Sequence, residues 1–173
     1  FTVSADLVWR RVESDPQTAI CFYELATFED EDRIACLIGP DSPDGQSGIP
    51  ILHLRWDGQV VTGEFQIVSN RRLRSNEQQR VTWMLDRHGV VSTFIEGEKV
   101  VEAKISLPKG VRVFEGHALG APNAAQTHEM IEGALLQRDD ARQVFAAFQG
   151  RIVRFGAWNC AAPQAAQGWE HTP

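Results

Sequence analysis

His128 and Glu132 stand four residues apart in the run THEMIE (127–132), so on a helix both side chains project from one face. An imidazole and a carboxylate placed this way supply two of the three protein ligands that a catalytic zinc takes beside its open position. His117, in the small-residue loop upstream, is the candidate third ligand, and Glu129 is the candidate general base for zinc-bound water. The chemistry would be metal-assisted hydrolysis with zinc as cofactor. The run departs from a true His-Glu-x-x-His in carrying Glu132 where the second histidine belongs. A plainer reading needs no cofactor: Thr127 caps a helix, Glu129 complements its positive end, and Met130 and Ile131 pack inward.

A second constellation is basic. The run SNRRLRSNEQQR (69–80) concentrates Arg71, Arg72, Arg74 and Arg80 in a chain whose formal net charge is −6. Guanidinium forks suit the carboxylates or phosphates of a ligand or protein partner. In a solvated loop they would merely balance nearby acids. Nucleic acid is excluded as the expected partner, because the overall charge is negative and no aromatics interleave these arginines. The acidic turn Glu29–Asp32 is an oppositely charged feature suited to protein contact.

Other chemistry is sparse. His53 shares the polar face of a strand with Arg55 and would line a pocket only if that face turned inward, while His88 reads as a solvent-facing turn residue. The run DGQSG (44–48) lacks the spacing of a nucleophile elbow. No phosphate-binding glycine loop or dinucleotide fingerprint is present. Trp9, Trp56, Phe65, Trp83 and Phe94 fall on β segments, where they fill a core or line a cavity for a small hydrophobic ligand.

The elements that must carry these residues are mostly strands. Segments 7–13, 18–28 and 33–39 are short and rich in β-formers, and the Gly/Pro/Asp/Ser-rich run 39–48 is a loop. Asp57-Gly58 joins 49–56 to 59–68 as a two-residue hairpin turn, in a register that faces Leu54 with Val61 and Leu52 with Gly63. That register gives Leu52, Leu54, Trp56, Val61, Phe65 and Ile67 one apolar face and leaves His53 and Arg55 on a solvated one. A second meander covers 81–107, with a further strand at 110–116 and a loop at 117–126. Helices are expected from Thr127 and again where Ala141, Val144, Phe145 and Phe148 repeat at helical spacing, with Gly150 as the stop. A strand at 151–158 closes the fold.

The expected fold is therefore mainly β (α+β): a single antiparallel β-sandwich or partly closed β-barrel, with two short helices in its C-terminal half and a closing strand. One domain spans 1–158 with its helical flank at 127–149, and 159–173 reads as a loose tail that Trp169 anchors. The chain of 173 residues, 43% hydrophobic, is long enough to bury a substantial core. No apolar run approaches the roughly 20 residues of a membrane span. The methionine-less start reads either as a fragment or as a removed leader, which leaves the compartment open; an extracytoplasmic (periplasmic or secreted) setting follows from the second reading alone.

The cysteines are Cys21, Cys36 and Cys160, so at least one thiol has no partner within the chain. If Phe28 faces Arg33 across the acidic turn, Cys21 lies opposite residue 40 and Cys36 opposite Leu25. That offset is about 13 Å along the strand, beyond disulfide reach; another register, or Cys160, would be needed for a bridge. The functional expectation is a non-enzymatic binding module. It would recognise a protein partner of the inhibitor, immunity or secretion-accessory type, or carry a small hydrophobic ligand. The metal-assisted hydrolase built on His117, His128 and Glu132 is the alternative.

Overall fold

The computed structural model describes residues 1–10, 19–27, 32–42, 46–57, 59–61, 63–107, 114, 116–120 and 146–168. In chain order the strands are β1 (Thr2–Trp9), β2 (Ile20–Ala26), β3 (Arg33–Pro40), β4 (Ser47–Trp56), β5 (Gln59–Val60), β6 (Gly63–Ile67) and β7 (Leu73–Arg74). They continue as β8 (Gln78–Leu85), β9 (Val90–Ile95), β10 (Glu98–Ile105), β11 (Gly116–Leu119), β12 (Ala146–Ala147) and β13 (Gly150–Trp158), before a single turn of helix, α1 (Gln164–Gln167).

Two sheets result. The first runs β13-β1-β8-β9-β10-β6, and the second runs β11-β2-β3-β4-β5, with β7 added to β4 and β12 to β2. Every pairing is antiparallel except the two-residue bridge of β12 to β2. The sheets pack as a sandwich and do not close into a barrel.

Alternation explains the core. Val3, Ala5, Leu7 and Trp9 of β1, Val81 and Trp83 of β8, and Val91 and Ile95 of β9 meet Phe22 of β2, Cys36 and Ile38 of β3, and Leu52 and Leu54 of β4 in one buried cluster. Trp83 holds the layers together. Its ring stacks on Phe22 at 5.3 Å, and its indole N–H donates to the Leu37 carbonyl at 3.1 Å. Side chains of the two sheets thus meet between the layers.

Consecutive strands lie in different sheets six times among the described residues, and two of these crossings bear on the expected pairings. The Asp57 turn forms as expected, with Arg55 opposite Val60 and the Val61 N–H on the Leu54 carbonyl at 2.9 Å. The expected pairing of Leu52 with Gly63 does not follow, because the chain leaves for the first sheet and β6 pairs with β10. Phe65 is half-buried there and Ile67 is exposed.

The other of these two crossings joins β12 to β13. Here the helix expected to end at Gly150 gives way: Ala146 and Ala147 bridge to β2, and Gly150 opens β13 opposite Trp9. The flank at 127–145 lies outside the described residues. Gly150 has φ +148°, and a Cβ on it would lie 1.9 Å from the Val8 carbonyl oxygen, so only glycine fits the corner.

The second sheet also differs from expectation in being buried on both faces. His53, Glu24 and Arg33 on its polar face are all buried, so that face is not solvated. Asp32 is likewise buried and accepts the Asp57 N–H at 2.6 Å, which removes it from an exposed acidic turn; the adjoining 28–31 lie outside the described residues.

The hairpin of β2 and β3 takes another register than the one expected. Ala26 faces Arg33, and a bulge at Phe22 brings Cys21 opposite Leu37 and Tyr23 opposite Cys36. Cys21 and Cys36 then project to opposite faces of the sheet and cannot bridge, and all three cysteines are free.

The tail is seated at 160–168. Thr2 Oγ1 donates to the Cys160 carbonyl at 2.8 Å and accepts the Ala162 N–H at 2.9 Å, while Ser4 Oγ donates to the Ala165 carbonyl at 3.1 Å. Ala162, Ala165 and Ala166 are buried, since their small side chains let the backbone approach hydroxyls on β1. Composition alone reads this run as loose because those partners lie some 160 residues away. Trp169 is outside the described residues.

Candidate functional site

The proposed zinc ligands divide across that boundary. His117 sits exposed on β11, opposite Leu25 of β2. His128, Glu129 and Glu132 lie outside the described residues, so no distance joins them to His117. Among the described residues, no group of three His, Cys, Asp or Glu is placed to hold a metal ion.

The arginines fall into two groups. Leu73, fully buried, anchors β7 against Gly48 of β4. The Ser75 N–H donates to the Gln46 carbonyl and the Asn76 N–H to the Trp9 carbonyl, both at 2.9 Å. These anchors fix the loop that presents Arg71, Arg72 and Arg74. With Asn70, Glu77 and Gln79 those three arginines line an open basin of about 530 Å³.

The basin cations are not equivalent. Arg72 is held on all sides: Nε donates to Asp41 Oδ2 at 2.6 Å, and Nη1 donates to the Ser69 and Arg71 carbonyls at 2.9 Å each. Arg71 meets Glu98 at 3.3 Å with both side chains near half exposure. The Ser69 hydroxyl also donates to Glu98, and together the hydroxyl and Arg71 hold the Glu98 carboxyl below its usual range. Arg74 is the freest, 72% exposed and 3.7 Å from Glu77. An arriving carboxylate would find one rigid guanidinium and two that can exchange an exposed internal partner for it.

Arg80 does not join the basin. It sits on β8, where Nε donates to Asp6 Oδ1 at 2.8 Å and Nη1 to the Gln167 carbonyl at 3.1 Å. Its work is to clip the C-terminal segment to the first sheet.

A buried ionic row escaped the sequence reading. Register aligns Glu24 with Ala35 and His53, and Ala26 with Arg33 and Arg55, on one face of the second sheet. Glu24 and Arg33 form an ion pair at 3.3 Å with each side chain 2% exposed. Burial first, then the charges of Arg33 and Arg55, push the His53 pKa down to about 3. A histidine so depressed is neutral at physiological pH and too weak a base for proton abstraction there. The available signal was a lone Glu inside CFYELATF and an Arg opening RIACLIG, both within runs of β-formers.

No protein-family model matches the chain, and no curated protein matches it in sequence.

Proposed function

We propose that the chain is a non-enzymatic interaction module that binds a protein partner by its carboxylates, through the basin of Arg71, Arg72 and Arg74. The observation that carries this reading is that three arginines line one open depression in a chain of net charge −6. Partner binding is favoured over carriage of a hydrophobic ligand because every residue lining the basin, Asn70, Arg71, Arg72, Arg74, Glu77 and Gln79, is polar or charged.

The test is a titration with a fluorescent oligoglutamate peptide. Binding should weaken as ionic strength rises from about 0.01 M to 0.15 M. It should weaken about tenfold or more in Arg71→Glu/Arg74→Glu, at unchanged fold by circular dichroism. Arg80→Ala should bind as the parent does. Equal binding by the double variant, or no salt dependence, would overturn the proposal.

A further inference from the structure

The nine residues of β13 pair with β1 along one edge, and among the described residues no strand pairs with the other. Natural edges of this length are normally short, covered or charged, since their free backbone groups invite pairing. This edge carries Arg151 and Arg154, both exposed. Arg33, Arg71, Arg72, Arg74 and Arg80 each meet a carboxylate, whereas Arg151 and Arg154 meet none among the described residues. Among the described residues this strand thus presents two exposed cations with no carboxylate partner on an edge with no paired strand.

The same edge is apolar on its other side. Val153 is 44% exposed and Phe155 is 37% exposed. Phe155 packs on Tyr23 with centroids 5.2 Å apart, and Tyr23 faces Leu119 of β11, itself 47% exposed. The apolar strip thus continues from the first sheet to the second.

From this we infer that β13 accepts an added strand from a partner whose residues alternate between apolar and acidic. Register sets the spacing. Val153 is a bulge: β1 places Asp6 opposite Arg154 and Val8 opposite Arg151, two residues apart, while Leu7 faces Ile152 and Ala5 faces Phe155. An unbulged antiparallel strand on the free edge meets the same positions. It puts acids opposite Arg154 and Arg151, and apolar side chains opposite Phe155 and Ile152, in the order apolar-acidic-apolar-acidic. Backbone hydrogen bonds would supply affinity and the alternate side chains selectivity. The charge argues for a foreign acidic strand over a second copy, because edge arginines and a bulge discourage pairing with an identical edge. This surface is separate from the arginine basin.

The probe is the fluorescent peptide Gly-Val-Glu-Val-Glu-Val-Gly, with a counterpart N-methylated on alternate backbone nitrogens. The parent peptide should bind. Arg151→Glu/Arg154→Glu should weaken it about tenfold or more, whereas Arg71→Glu/Arg74→Glu should leave it unchanged, which separates this surface from the basin. On unaltered protein, N-methylation of the nitrogens facing β13 should abolish binding, so the test does not depend on any variant folding. Three results would overturn the inference: no binding, equal binding of the N-methylated peptide, or a dimer in sedimentation that the peptide disperses.

Discussion

A histidine that is neutral because it is buried ties stability to pH in a known direction. The folded-state pKa of His53, about 3, lies below the ordinary 6.5, so the folded chain binds fewer protons at this site than the unfolded one. Its contribution is complete above pH 6.5, falls as the pH drops from there toward about 3, and cannot fall further below. Urea unfolding at neutral pH and at about pH 4 should differ by a few kcal/mol on this account. His53→Gln, uncharged at both, should show a flatter dependence; an unchanged slope would place the acid sensitivity elsewhere. The strand face of His53 was legible, since two-residue alternation sets it beside Arg55. Its burial was not, because what packs on a sheet face is decided by other parts of the chain. For the same reason Arg71, Arg72 and Arg74 were recognisable as a cluster, while the separation of Arg80 was not. A β-strand begins at Gln78, and Arg80 is committed to Asp6, far off in sequence.

At the scale of elements, local turn chemistry proved more legible than sheet membership. Asp57 adopts φ 48° at the head of its turn, as the hairpin signal requires, yet that signal says nothing about the departure of β6 for the other sheet. Phe148 shows the opposite case. It completes a helical repeat on paper, but its ring instead meets Phe22 edge-on at 5.3 Å beside the bridge of β12. An apolar residue bound for the core looks alike whether it reaches there from a helix or a crossing strand, and the glycine after it looks alike as a helix stop or a corner. The corner makes the sharper prediction. Gly150→Ala must either move Val8 or abandon φ +148°, and strain at such a position alone costs about 1–3 kcal/mol. A lowered melting temperature is expected, with release of β13 from β1 seen as faster amide exchange along β13. A variant as stable as the parent would mean that the chain turns this corner in another way.

For the whole molecule the question is whether two sheets make one cooperative unit. The chain passes between them six times among the described strands, and the Trp83–Phe22 stack and the Trp83–Leu37 hydrogen bond join their centres. Opening one sheet therefore exposes the core of the other, and a single transition is expected. The cysteines report on this. Cys160 is exposed, whereas Cys21 and Cys36 are buried in the second sheet with thiols that burial pushes well above their ordinary pKa, so they hold their protons and resist alkylation. Native protein should consume one equivalent of thiol reagent, all of it at Cys160. Pulse labelling across a urea series should then release Cys21 and Cys36 together, at the midpoint where the emission of a Trp56→Phe variant, which lacks the tryptophan of β4, reports loss of the first sheet's core. Release of the two thiols at lower urea than the emission change would show the second sheet opening alone, and the sandwich would be two units that share a chain.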